Sequence, residues 1–383
     1  MALNIIGGNN LITIDEVKFD ETNNQFCCYS SDLLTEALFT HELPFVLDEV
    51  PSAEFTEKIY FFKNELFQNK KVLSVEMRER SGSNKAVGFI FSLEDLMNSP
   101  EIFDTLVLRK IIFNVIKKLL SEETLSIKSK PTSWRQDEDY KLNDFYDSDS
   151  LIMVICDQFV NFPNYEFSNY LIKLFKYGFK YCPSHSFFPV PNNLNLVEEN
   201  YNSLTKRIKL SASANELNKN FFVNQLISNS LYLQNNEVAR FHMYYQAIEM
   251  LMEVVFKNEI KENIYDKNLD DLTGHGMKDF FREAMRDSSS LEKVIGGKYS
   301  DVDTLIKDEF LLRMEEFLSY IKMPVSESLP SRLYKVRNTL FHSFNKVLAD
   351  STLDKYIVDS HLKKTNDLFE YFVMELIYTF KTV

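Results

Sequence analysis

The sequence predicts an α+β domain over residues 1–210, followed by an all-α helical bundle over residues 211–383. Two observations divide the chain there. Short apolar runs bounded by turn residues concentrate in the first part. From about residue 212 strand-like runs nearly vanish, and long stretches of helical periodicity follow one another. Composition supplies a third observation. Only 9 Gly and 10 Pro occur in 383 residues, too few for a turn-rich all-β chain, whereas 33 Phe and 19 Tyr predict aromatic cores.

In the first part, Leu11, Thr13, Asp15, Val17 and Phe19 share one face if Leu11–Phe19 is a strand. Lys58–Phe62 reads as another strand. Lys71–Met77 and Ala86–Ser92 flank Ser81-Gly82-Ser83-Asn84, the pattern of a hairpin loop. Thr105–Leu120 reads as a helix, with Leu106, Ile111, Val115 and Leu119 near one face. Gln136–Ser150 is acidic and reads as a surface loop. Leu151–Cys156 is fully apolar and reads as a buried strand, and Lys206–Leu210 as a last short one.

The second part offers helices at Asn215–Gln234, Val238–Asn258, Met277–Arg286, Thr304–Ile321, Ser331–Leu348 and Leu353–Phe380. Pro324 and Pro330 bracket a connection, because proline rarely continues a helix. Gly274-His275-Gly276 and Gly296-Gly297 mark further breaks. The expectation is a bundle of about five helices.

Composition also excludes function classes. With 45% hydrophobic and 26% charged residues the chain is neither disordered nor collagen-like. The 43 basic and 56 acidic residues give a charge of −13, so the chain as a whole has no long-range attraction to nucleic acid or anionic membranes. Any such binding requires a local patch. Four scattered cysteines, Cys27, Cys28, Cys156 and Cys182, do not make a disulfide framework. Met1–Asn10 lacks the regions of a signal peptide, and no run reaches the roughly 18 apolar residues of a membrane span. A soluble, cytoplasmic chain with no membrane partner is expected.

Several chemical motifs are missing. Neither phosphate-cradling glycine loop occurs, nor does H-E-x-x-H. Cys182-Pro183-Ser184-His185 has a metal-ligand spacing without further partners, so these thiols read as core residues. Asp137, Glu138, Asp139, Asp144, Asp147 and Asp149 lack the central glycine of a calcium loop and read as a solvated segment. No cofactor and no metal site are expected.

The richest segment is Ser331–His342. On an α-helix Leu333, Val336, Leu340, Phe344 and Val347 fall on one face, the core stripe. Tyr334, Asn338 and His342, spaced at i, i+4 and i+8, form a second stripe, and Arg337 lies between the two. An arginine, an amide and an imidazole thus converge on a face the bundle core does not need. That set suits phosphodiester cleavage. Imidazoles as a class titrate near neutrality and can take a proton from a ribose 2′-hydroxyl. A guanidinium can neutralise the charge that builds on the phosphorus oxygens. Arg332, Lys335 and Arg337 supply a local basic strip.

A second helix adds to this. Its apolar face is Phe241, Tyr244, Tyr245, Ile248, Leu251, Met252 and Val255. His242, Gln246, Glu249 and Glu253 line the other side, either as a solvated face or as carboxylates that orient the later arginine or histidine.

Tyr244-Tyr245-x-x-x-Glu249, followed some ninety residues later by Leu333-Tyr334-x-x-Arg337-Asn338-x-x-x-His342, resembles the HEPN superfamily, in particular the HEPN domains of abortive-infection and ApeA-like proteins. The family mark is an arginine, four to six residues and a histidine, often with a polar residue directly after the arginine. The resemblance covers about residues 215–383. It departs at Ser343, where relatives often carry a smaller residue such as glycine. The resemblance implies an HEPN-like all-α bundle that dimerises and joins two such motifs in one composite cleft. It implies a metal-independent endoribonuclease that leaves a 2′,3′-cyclic phosphate. Arg337, His342 and Asn338 carry over as catalytic residues, and Glu249 and Tyr334 as supporting ones.

The partners implied are an RNA substrate, with tRNA as first candidate, a second copy docked through the 331–348 helix, and a phage-derived trigger or an antitoxin. The setting implied is anti-phage defence by abortive infection, or a toxin system, with residues 1–210 as sensor or regulator. The reading from another class is a catalytically inactive HEPN-type dimerisation or binding module for a nucleotide, RNA or protein.

Overall fold

The computed structural model describes residues 3–7, 10–30, 37, 39–47, 49–51, 57–68, 71–78, 84–121, 142, 146, 149–156, 167–182, 200–204, 206–210, 236–266, 287–326 and 328–381. The expected helices at 215–234 and 277–286, His185 and most of the acidic segment lie outside these residues. The chain divides into two compact units. One holds Met1–Phe167 with Leu174–Ser211, and the other Ser168–Lys173 with Ala212–Val383. The first contains sheets and the second is helical.

Eleven strands are described: β1 (Leu3–Gly7), β2 (Asn10–Ile14), β3 (Glu16–Asp20), β4 (Gln25–Tyr29), β5 (Phe39–Glu42), β6 (Lys58–Lys63), β7 (Leu73–Arg78), β8 (Asn84–Ser92), β9 (Leu151–Ile155), β10 (Lys180–Cys182) and β11 (Arg207–Leu210). Helices α1 (Leu93–Asn98) and α2 (Leu106–Ser121) follow β8, and α3 (Ser168–Phe175) follows β9. The single strand expected over Leu11–Phe19 is two strands in different sheets. β2 pairs with β1, β3 pairs with β4, and the chain breaks at Asp15 between them.

The main sheet has the order β10-β6-β9-β8-β7-β11. Only the β11–β7 pair is parallel. β9 is buried at all five positions, as its unbroken apolar run requires of a central strand. Helix α2 supplies eight residues, from Leu108 to Leu120, to a cluster that also takes Phe26, Cys28 and Phe39 from the three-stranded sheet and Phe61, Phe91 and Val154 from the six-stranded one. Phe19, Phe26 and Phe113 meet there with ring centroids 4.9–5.0 Å apart. The acidic segment read as a solvated loop is not wholly so. Leu142 and Tyr146 are fully buried, and the Tyr146 hydroxyl donates to the Leu119 carbonyl at 2.7 Å. Of the four cysteines, Cys27, Cys28 and Cys182 are buried, and burial pushes the Cys156 thiol up to about 11.

Gly88 shows why a glycine sits in this sheet. The register of β7 against β8 shifts between Val75 and Glu76, so that Val75 pairs Gly88 and Glu76 pairs Ala86, with Val87 as the extra residue of a bulge. A Cβ on Gly88 would lie 1.9 Å from the Val154 carbonyl oxygen of β9. That neighbour is backbone, so relief requires the strands to part. Gly88→Ala is expected to destabilise the chain by about 1–3 kcal/mol or more. A urea midpoint equal to that of the wild type would refute this.

The helical unit contains α4 (Glu237–Asp266), α5 (Asp287–Ile295), α6 (Thr304–Tyr320), α7 (Leu329–Asn338), α8 (Phe344–Ala349) and α9 (Lys355–Thr379). Side-chain caps start four of them: Asn236 for α4, Asp303 for α6, Ser328 for α7 and Asp354 for α9. Pro330 sits in the first turn of α7, where its missing N–H costs nothing. Helix α9 is the centre. It is buried without a break from Leu368 to Ile377, with α4 and α6 packed along it. Phe369 meets Phe241 at 4.8 Å and Phe310 at 4.9 Å between ring centroids. No helix among the described residues is long and apolar enough to cross a membrane.

A charged cluster ties the start of α4 to α9. Arg240, whose side chain is 4% exposed, reaches Glu237 at 2.9 Å, Asp367 at 3.3 Å and Glu370 at 3.8 Å. It also donates to the Tyr244 hydroxyl at 3.2 Å. Asn366 donates to the Glu237 carbonyl and carboxylate, each at 2.7 Å. Burial works against the Arg240 charge, but Tyr244, Glu370 and Glu237 outweigh it and hold the guanidinium above its ordinary pKa.

Candidate active site

Helix α7 is fixed from its first turn. The Ser328 hydroxyl accepts from the Ser331 N–H, and Leu333 and Val336 are fully buried. Arg332 is anchored as well. It donates to the Ser326 and Leu311 carbonyls, each at 2.8 Å, and pairs with Glu315 of α6 at 2.9 Å. Its side chain is buried, so it belongs to the packing of α7 on α6. The basic strip expected from Arg332, Lys335 and Arg337 therefore loses its first member.

The segment expected as one regular helix, Ser331–Leu348, is interrupted. A π turn over Thr339–Ser343 joins α7 to α8. The interruption decides how the motif is displayed. On a regular α-helix five residues turn through about 500°, which leaves Arg337 and His342 about 140° apart. A π turn bonds i to i+5 and brings the fifth residue back over the first. Thr339, 2% exposed, helps hold the wider turn by donating its hydroxyl to the Lys335 carbonyl at 2.9 Å.

A pocket of about 430 Å³ opens on this face, lined by Met323, Tyr334, Lys335, Arg337, Asn338, Thr339, His342 and Ser343. Four of the five residues singled out in the sequence thus meet in one cavity: Tyr334, Arg337, Asn338 and His342. The fifth, Glu249, stands on α4 and reaches Arg337 Nη2 at 3.5 Å. Both partners are partly exposed, so this pair orients the guanidinium and contributes under about 1 kcal/mol to stability. Arg337 Nη1 donates to Asn338 Oδ1 at 3.0 Å. His342 is exposed at the rim, and Asn338 and Tyr334 are half-buried.

Two residues of the site had another reading or none in the sequence. The Arg337 guanidinium carbon lies 5.5 Å from the ring centroid of Tyr245 and 5.2 Å from that of Phe341. Tyr245 reads as a core residue of α4, and it is buried, yet its ring also faces the arginine. Phe341 stands four residues after Arg337, the one sequence signal that could have found it. His242 packs against the Phe341 ring at 4.6 Å and lies 3.1 Å from the Gln246 amide. Glu253 does not join the site. It pairs with Lys257 one turn on, at 2.7 Å, as a solvated face would.

No protein-family model matches the chain, and neither a curated protein nor a solved structure matches it significantly.

Proposed function

We propose that the helical unit is a metal-independent endoribonuclease of HEPN type. It acts as an effector in anti-phage defence by abortive infection or in a toxin system, with the N-terminal unit sensing a trigger or restraining activity. The observation that supports this reading is the meeting of Arg337, Asn338 and His342 in one pocket, with Glu249 orienting the arginine. In the proposed reaction the His342 imidazole takes the proton of a ribose 2′-hydroxyl. The oxygen attacks the adjacent phosphorus, and Arg337 neutralises the charge on the phosphoryl oxygens. The leaving oxygen departs with a proton, and a 2′,3′-cyclic phosphate remains. The nucleophile comes from the substrate, so the step needs no metal-bound water.

The reaction uses an acid and a base, and each chain offers one imidazole in the pocket. A second copy docked across Tyr334, Asn338 and His342 by a two-fold axis supplies the other. Light scattering at micromolar concentration should therefore report a homodimer. A monomer that cleaves RNA at the full rate would remove the composite cleft. The test of the function itself is cleavage of a defined RNA, tRNA first, by the purified full chain with and without a chelator. Cleavage that survives the chelator and ends in a cyclic phosphate is expected.

A second reading has an observation of its own. Both Nη atoms of Arg337 are already engaged, by Asn338 and by Glu249. An inactive dimerisation or binding module for a nucleotide, RNA or protein would need nothing more of them. Binding of RNA without cleavage would favour it.

A further inference from the structure

Arg337 ends a long, rotatable side chain, and a guanidinium acts on a phosphate only when its plane is aimed. Its two polar contacts do not aim it alone. Asn338 is the adjacent residue, and Glu249 is 44% exposed at 3.5 Å. Meanwhile Arg337 Nε is shielded from solvent and has no hydrogen-bond partner. What packs on the guanidinium is aromatic: Phe341 at 5.2 Å and Tyr245 at 5.5 Å. The two rings come from different helical segments, Phe341 from the π turn and Tyr245 from α4. Phe341 is held in turn by the His242 ring, inclined at 65° to it.

We propose that Phe341 and Tyr245 are positioning residues, an aromatic clamp that fixes the Arg337 guanidinium toward the pocket so that it and His342 meet the same phosphate. This rests on the ribonuclease reading for its consequence, though not for its geometry. Phe341 is 39% exposed, with the Arg337 guanidinium and the His242 ring against it. The quadrupole of each ring attracts the cation without using an N–H donor, so the Nη hydrogens that Asn338 and Glu249 do not take stay available to a phosphate.

The test uses the full-length chain and Phe341, because Tyr245 is buried and its loss would disturb the core. Phe341→Leu keeps apolar bulk and removes the π face, whereas Phe341→Tyr keeps the face. Phe341→Leu should lower kcat roughly tenfold with KM unchanged. Phe341→Tyr should keep the wild-type kcat, and Phe341→Leu should add nothing in an Arg337→Ala background. A second readout does not depend on activity. With isotope-labelled arginine, the Nε–H resonance absent from Arg337→Lys should exchange slowly with solvent in the wild type and in Phe341→Tyr, and rapidly in Phe341→Leu. An unchanged resonance in Phe341→Leu overturns the clamp, as does an unchanged kcat in an enzyme that cleaves. A wild type that never cleaves, with the exchange rates as expected, retires the ribonuclease reading and leaves the clamp standing.

Discussion

Replacing Arg337 with alanine is expected to slow RNA cleavage by about 10²–10³-fold, the loss typical of one donor aimed at charge that develops only in the transition state. His342→Ala should cost as much or more, because proton transfer goes with it. In the proposed reaction the two side chains serve one phosphoryl group, so the double variant should be little worse than either single one. Stability should fall by no more than about 1–2 kcal/mol in each case. His342 is exposed, and Arg337 stands beside the core stripe of α7 with its charge partly solvated. Glu249→Gln should have a smaller effect, since an amide oxygen can still accept from Arg337 Nη2. The measurement is single-turnover cleavage of one defined RNA by variants whose circular dichroism matches the wild type. Full activity in His342→Ala, or its abolition by a chelator, sinks the mechanism.

Replacing Arg240 with methionine is expected to destabilise the helical unit by about 3–5 kcal/mol, the cost of removing one partner from a buried ion cluster. The side chain fills the space between α4 and α9 with only 4% of its surface exposed. Methionine can occupy much of that volume, so lost packing is the smaller part. The larger part is what remains: the Glu237 carboxylate at 18% exposure and Glu370 at 6%, each without the charge that Arg240 provides. Tyr244 carries no charge to strand, since burial pushes its pKa well above the ordinary value; its hydroxyl loses the hydrogen bond from Arg240 at 3.2 Å. Adding Glu370→Gln should recover part of the loss, because it removes one of the stranded charges. Urea unfolding followed by circular dichroism checks both variants. A midpoint for Arg240→Met equal to that of the wild type would show that the cluster is not a structural tie.

Much of the helical unit was legible because periodicity alone determines which side of a helix is apolar. All seven residues read as the inner face of α4, from Phe241 to Val255, are buried. So are Leu333, Val336, Leu340 and Val347 of the stripe read in the 331–348 segment. The spacing of Tyr334, Arg337, Asn338 and His342 was likewise enough to pick out residues that now line one pocket. The strands were found where apolar runs end in turn residues, but not their order. β9 inserts between β6 and β8, strands some sixty to ninety residues earlier in the chain, and nothing local in Leu151–Ile155 selects those neighbours.

Other features needed the tertiary structure, for one physical reason: local pattern specifies a face, and the partner of that face decides what each side chain does. Arg332 and Arg337 are the same residue type one and a half turns apart. Arg332 meets two carbonyls and Glu315 and is buried, whereas Arg337 meets two rings, Asn338 and Glu249 beside an open pocket. The π turn over Thr339–Ser343 is of the same kind. Helical periodicity assumes a constant angle per residue, so it carries no sign of the one wide turn that lies between Arg337 and Phe344. The sequence by itself picked out Tyr334, Arg337, Asn338 and His342; the packing of α7 and its π turn against α4 and α6 decided that they line one pocket.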